Sequence, residues 1–138
     1  MSLPTMVHGW PLSGFQNFTF NPHYLCTTKD AGLPVWRYRY FGVFPNLHPF
    51  NWLGAWHSAI QRTLFNTADK NGVANTPEQD EAVSFLQSIL VSFAKDPVHG
   101  LTKLGFPQYD PEGRSLVQLM KGTTLMSVNA STGYDAAC

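Results

Sequence analysis

The chain has 138 residues, 43% of them hydrophobic and 14% aromatic, and its nine basic residues balance nine acidic ones. Such aromatic richness excludes a disordered polymer, and the lack of a basic stripe to displace counterions from phosphates excludes a nucleic-acid partner. No apolar run is long enough to span a bilayer.

A single unit of this length buries about 65–70% of its unfolded surface. Only 13% of the residues are charged, so little polar surface is left for a free-standing domain and some apolar surface is expected to face another protein layer. Met1-Ser-Leu-Pro-Thr5 has neither the basic nor the apolar region of a signal peptide. Two glycosylation sequons, Asn17-Phe-Thr19 and Asn129-Ala-Ser131, point the other way, towards a secreted ancestor.

Residues 1–22 are rich in Gly, Pro, Asn and aromatics without helical or strand period, and read as an irregular lead-in to a segment over residues 23–138. Residues 24–32 suggest a short helix ended by Gly32. Val35-Trp-Arg-Tyr-Arg-Tyr-Phe41 has the aromatic, β-branched character of a strand. Large side chains on both of its faces predict an inner strand rather than an edge. Residues 42–53 read as a loop. Thr76 is placed to cap a helix, with Pro77 at the first helical position and Gln79 completing a capping box. Ala82, Val83, Leu86, Ile89, Leu90 and Phe93 give that helix an apolar stripe, and Asp96-Pro97 ends it. Asp110-Pro-Glu-Gly113 fits a type I turn. Residues 115–120 and 123–128 read as a terminal hairpin turning at Lys121-Gly122.

Leu33-Pro-Val-Trp-Arg-Tyr-Arg-Tyr-Phe-Gly42, Phe44-Pro-Asn-Leu47 and Gly54-Ala-Trp-His57 together resemble the last core strand and histidine loop of type-B carboxylesterases. That α/β-hydrolase group includes cholinesterases and many fungal lipases and esterases. The resemblance continues through Phe93-Ala-Lys-Asp-Pro97, Gly100-Leu-Thr-Lys-Leu-Gly105, Pro107-Gln-Tyr-Asp-Pro-Glu-Gly113 and Tyr134-Asp-Ala-Ala-Cys138. It implies an α/β fold formed by the C-terminal portion of an α/β-hydrolase: late core strand, histidine loop, amphipathic helix and terminal hairpin. Such a portion is incomplete as an isolated domain.

The triad of these enzymes comes in the order Ser, then Asp or Glu, then His, so the resemblance makes His57 the general base of a carboxylic ester hydrolase. None of the nine serines lies in a Gly-x-Ser-x-Gly turn. The nucleophile and the acid are therefore expected from an upstream segment or a partner chain, and Asp30, Asp69 and Asp110 are acid candidates only by default. Where the family continues His-Gly-x-(Glu/Asp)-Ile-Pro, this chain reads His57-Ser-Ala-Ile-Gln-Arg62. Losing the acid and gaining an arginine both weaken a general base.

Three situations fit these observations: a piece of a longer esterase, one half of a split enzyme, or a non-catalytic remnant acting as a binding or interaction protein. The expected partners are the remainder of the esterase or a second copy, with a carboxylic ester or small hydrophobic ligand. Trp52 and Trp56 are candidates for the pocket wall, with packing of the loop as the competing reading. Arg37 and Arg39 share a strand face suited to pairing with carboxylates, and His8, His23, His48 and His99 read as surface residues. Cys26 and Cys138 lie outside any CxxC or CxxH pattern, so neither a metal site nor a cofactor is expected. If bridged, they close a loop of more than a hundred residues, worth about 4–5 kcal/mol by chain entropy; if not, they are free thiols.

Overall fold

A computed structural model describes residues 5–9, 27–48, 50–56, 58–68 and 72–130. His57, Cys26, Cys138, Asn17, His23 and Asp69 lie outside the described residues, as does the closing Tyr134–Cys138 motif. The fold is mixed α/β, with a four-stranded sheet of order β1-β2-β3-β4 formed by Thr5–Gly9, Val35–Tyr40, Leu116–Lys121 and Thr124–Asn129. The helices are α1 (Ala59–Leu64), α2 (Pro77–Lys95) and α3 (Gly100–Lys103), and Asn51–Leu53 form a 3₁₀ turn.

Strand β2 is the centre of this sheet. It pairs in parallel with β1, from Thr5↔Val35 to Gly9↔Arg39, and with β3, from Arg37↔Leu116 to Tyr40↔Leu119. The inner-strand expectation holds, because five of its six residues are buried and both faces are covered. The lead-in expectation needs correction: Thr5–Gly9 is not irregular but supplies a parallel neighbour for β2.

Trp36, Tyr38 and Tyr40 join Val117 and Leu119 in one apolar cluster with Ala82, Leu86 and Ile89 of α2, together with Leu101 and Phe106. The Trp36 ring meets Phe93 edge-on at 6.3 Å, and its indole N–H donates to Thr102 Oγ1 at 3.2 Å. On the opposite strand face, Arg39 and Lys121 each stand over the Phe41 ring, at 5.1 and 5.3 Å.

Residues 27–30 form a helical turn closed by Gly32 at φ +72°, with Leu33 N–H bonded to Thr28 O and Gly32 N–H to Lys29 O. That paired pattern is the Schellman ending, whose left-handed residue favours glycine. Helix α2 begins as expected, with Thr76 Oγ1 accepting from Gln79 N–H at 3.2 Å. The capping box is only half made, however. The Gln79 side chain is fully buried, and neither its Oε1 nor its Nε2 has a partner among the described residues. Gln79 is buried along with Ala82, Val83 and Leu86 of the same helix, and its amide makes no bond back to the cap. Leu90, assigned to that stripe from the sequence, is exposed. At the far end, Asp96 accepts from His99 N–H at 2.9 Å and pairs with Lys103 at 2.7 Å, which fastens α3 to α2. The Lys103 bond comes first among the effects that hold the Asp96 carboxyl below its ordinary pKa.

The hairpin is present, with its turn one residue later than the sequence suggested. Lys121 faces Thr124 across Gly122-Thr123. Gly122, at φ +63°, takes the first central position, where a type II′ hairpin turn favours glycine. Met120 is also left-handed, at φ +54°. Leu119 and Met120 consequently both enter the core, and Lys121 comes to the side of Gln118, donating to its Oε1 at 3.1 Å. A regular pleat would put residues three apart on opposite faces.

Candidate functional site

In open α/β sheets, ligands bind beyond the carboxyl ends of the parallel strands. At that end of β2 the chain enters the loop 42–58. Gly42 opens it, and any Cβ there would collide with the Tyr40 hydroxyl. His48 Nδ1 lies 3.0 Å from Phe44 N and 2.9 Å from Phe44 O, which closes the first part of the loop. His48 is 8% exposed and its Nε2 has no partner among the described residues, so it is not the surface histidine expected from the sequence. His99 is exposed, as expected.

The second part of the loop returns through Gly54 (φ 58°, ψ −159°), buried Ala55 and half-buried Trp56. The Trp56 indole N–H donates to Leu47 O at 2.9 Å, tying the two parts together. The Arg62 guanidinium covers the Trp56 ring at 5.4 Å. Ser58, at φ 72° and ψ 0°, precedes α1. Position 57 is therefore flanked by a pinned tryptophan and a left-handed serine. The three positions at which the chain differs from the pattern it resembles each have a local structural context. The family places glycine where Ser58 adopts the conformation most suited to glycine. Ile60 is 8% exposed within the apolar cluster, where a carboxylate would be buried. Arg62 N–H donates to Ser58 O at 3.2 Å, a bond that a proline would lack.

Helix α1 is held against the strand by Thr63, whose Oγ1 donates to Ala59 O and lies 2.9 Å from the Tyr40 hydroxyl. Burial pushes the Tyr40 hydroxyl up to about 12, against the opposing effect of the Thr63 bond. Burial likewise raises Tyr38. Both hydroxyls stay neutral at ordinary pH, so this joint is made of uncharged hydrogen-bonding groups. None of these anchoring contacts had a motif in the sequence; only the aromatic alternation of β2 marked Tyr40.

Trp52 is 73% exposed and stacks on Phe50, with ring centroids 5.7 Å apart and planes 18° apart. The two tryptophans therefore differ: Trp56 packs and bonds within the loop, whereas Trp52 presents an aromatic face to solvent. Phe50 escaped the sequence reading, although its spacing of two residues from Trp52 was visible there.

The acid candidates do not gather here. Asp30 sits in the helical turn leading into β2. Asp110 follows Tyr109, whose N–H donates to Val35 O at the start of β2. Both belong to the amino end of a strand about 17 Å long by its rise per residue. Asp110 instead builds its turn, with Gly113 N–H donating to Asp110 O at 3.3 Å and Glu112 N–H to its Oδ1 at 3.1 Å. Ser84, Ser88 and Ser115 donate to nearby backbone carbonyls. Among the described residues no group of three or more His, Cys, Asp or Glu is arranged to hold a metal, and no helix is long and apolar enough to cross a membrane.

Two curated proteins are similar to this chain. Secreted lipase 5 of Gibberella zeae is 36% identical over 103 residues, covering 68% of this chain and 19% of the lipase. Chlorogenic acid esterase of Aspergillus niger is 36% identical over 74 residues, covering 54% of this chain and 14% of the esterase. The chain is a distant homologue of fungal lipase and esterase proteins of the α/β-hydrolase superfamily, and spans less than a fifth of the length of either relative. No protein-family profile and no solved structure matches it.

Proposed function

We propose that this chain is the histidine-bearing C-terminal part of a carboxylic ester hydrolase of the type-B carboxylesterase kind. The observation that carries this reading is the loop at the carboxyl end of the central parallel strand, pinned on both sides of position 57. His57 takes the proton from a serine hydroxyl as that oxygen attacks the ester carbonyl, then returns it to the departing alcohol. The serine, the triad acid and the oxyanion donors come from the remainder of the hydrolase, in the same or a separate chain. Trp52 and Phe50 offer an aromatic wall to the hydrophobic part of the ester. Trp56 acts through its bond to Leu47, as a positioning residue for the loop.

The names of the two relatives, a secreted lipase and an esterase, support both ester hydrolysis and export. An exported chain meets the oxidising conditions in which Cys26 and Cys138 pair. Two alkylated thiols in the non-reduced intact mass would refute that bridge.

The test of the catalytic reading is complementation. The chain is co-expressed with the portion of the Gibberella zeae lipase upstream of its matching region, and turnover of short-chain p-nitrophenyl esters is followed. Turnover that requires both pieces and is lost in His57→Ala is expected, with a raised KM and little change in kcat in Trp52→Ala. A stable complex without turnover would overturn it. That outcome favours the second reading, a non-catalytic interaction protein, to which the buried Ile60 and the solvent-facing Phe50–Trp52 stack already lend support.

A further inference from the structure

The sequon at Asn129 occupies a position whose structure gives it a purpose. Asn129 is the last residue of β4, pairs with Leu116 on its inner side and is exposed. Strand β4 ends the sheet order, with no further strand beyond it among the described residues. An edge strand of this kind presents unpaired backbone groups to other chains, and proteins blunt such edges with charge, proline or a cover. β4 reads Thr-Leu-Met-Ser-Val-Asn, with neither charge nor proline. Among the described residues, Arg114 Nη2 donates to Val128 O of this strand at 3.1 Å.

We infer that Asn129 carries an N-linked glycan that covers the β4 edge. The side-chain Oδ1 accepts the Ala130 N–H at 2.9 Å, and Nδ2, the atom to be modified, has no partner among the described residues. Nδ2 attacks the anomeric carbon of a polyprenyl-diphosphate oligosaccharide; the N–C bond forms as the C–O bond to the diphosphate breaks. The amide proton leaves to a base of the transferring enzyme, and the diphosphate departs with its lipid. Ser131 completes the acceptor triplet, which has no intervening proline. The inference depends on passage through the secretory route and not on ester hydrolysis.

The full chain, secreted from a yeast host behind a cleavable leader, tests it by intact mass and glycopeptide mapping. Asn129 is expected to be occupied. Asn129→Gln removes that glycan's whole mass increment, and Ser131→Ala removes the same increment while keeping the asparagine. Enzymatic deglycosylation of the folded wild type is expected to shift it towards self-associated species on size exclusion. A folded, secreted chain with Asn129 unmodified would overturn the inference. If Asn129→Gln fails to fold, Ser131→Ala alone decides occupancy. A glycan whose removal leaves the association state unchanged would overturn its role at the edge. Loss of ester turnover, by contrast, bears only on the catalytic reading.

Discussion

Helix α2 and the loop 42–58 meet at one end of the sheet but are held by different forces. The helix is fixed by apolar burial of Ala82, Val83, Leu86 and Ile89, which is strong, non-directional and spread along a stripe. The loop is fixed by a few directional contacts: Trp56 to Leu47, His48 to Phe44, and Tyr40 to Thr63 at its exit. The difference teaches where each region fails. Substitutions in the helix cost stability in proportion to the volume removed. Substitutions in the loop act through single bonds or single dihedral angles, with smaller effects on stability and larger ones on the local course of the loop.

The sharpest test of this contrast is Leu86→Ala, expected to cost about 2–5 kcal/mol in urea unfolding. A cost below that of any loop substitution would break the comparison. Next in size is alkaline unfolding. An unfolded tyrosine ionises near pH 10, whereas folded Tyr40 holds its proton to about 12. The stability due to this burial is therefore complete below pH 10 and falls as pH rises towards 12, because the unfolded chain then binds fewer protons. The loss is about 1.4 kcal/mol for each pH unit over which only the unfolded state is ionised. A Tyr40→Phe variant should flatten the pH profile, and an unchanged slope would show that other groups dominate.

Gln79 is the polar exception inside the helix stripe, and it sharpens the contrast from the other side. Gln79→Met keeps the shape and removes two unpartnered buried atoms, so a gain of about 1–3 kcal/mol is expected. A loss in chemical denaturation would mean that the amide is satisfied in solution. In the loop, Trp56→Phe deletes the bond to Leu47 while keeping a ring for Arg62. It should cost about 1 kcal/mol and broaden the amide NMR signals of residues 54–58 well beyond those of α2. Ser58→Gly relieves a left-handed residue of about 1–2 kcal/mol at the entropic expense of glycine, about 0.5–1 kcal/mol. A small rise in melting temperature is expected, and a fall would show that the serine side chain makes a compensating contact.

What the sequence revealed follows the same division. Strand β2, helix α2 and the terminal hairpin were legible because aromatic alternation, a three-and-four apolar spacing and a capping threonine are local signals. Strand β1 was not, since Thr5–Gly9 becomes a strand only by pairing with β2, thirty residues on. The burial of His48 was equally hidden. A histidine in an Asn-Leu-His-Pro stretch looks solvent-bound until Phe44 is seen to supply both of its backbone groups. The hairpin turn was displaced by one residue because the left-handed Met120 and Gly122 move the pleat, and only glycine announces that conformation in a sequence. Around residue 57 the sequence offered only a resemblance, while the anchors Leu47, Thr63 and Tyr40 come from three different segments. No spacing rule joins them.

The bond between the Trp56 indole and the Leu47 carbonyl makes a noose of the chain between them, knotted at a point that does not depend on what the noose contains. Residues added or removed between positions 50 and 54 would change the size of the aromatic rim at Phe50 and Trp52, while the knot and the entry into α1 stay where they are. The interval is thus a length variable set apart from the joint that closes the loop. A designer, or natural drift, can reshape the solvent-facing rim without disturbing the joint between Trp56 and Leu47.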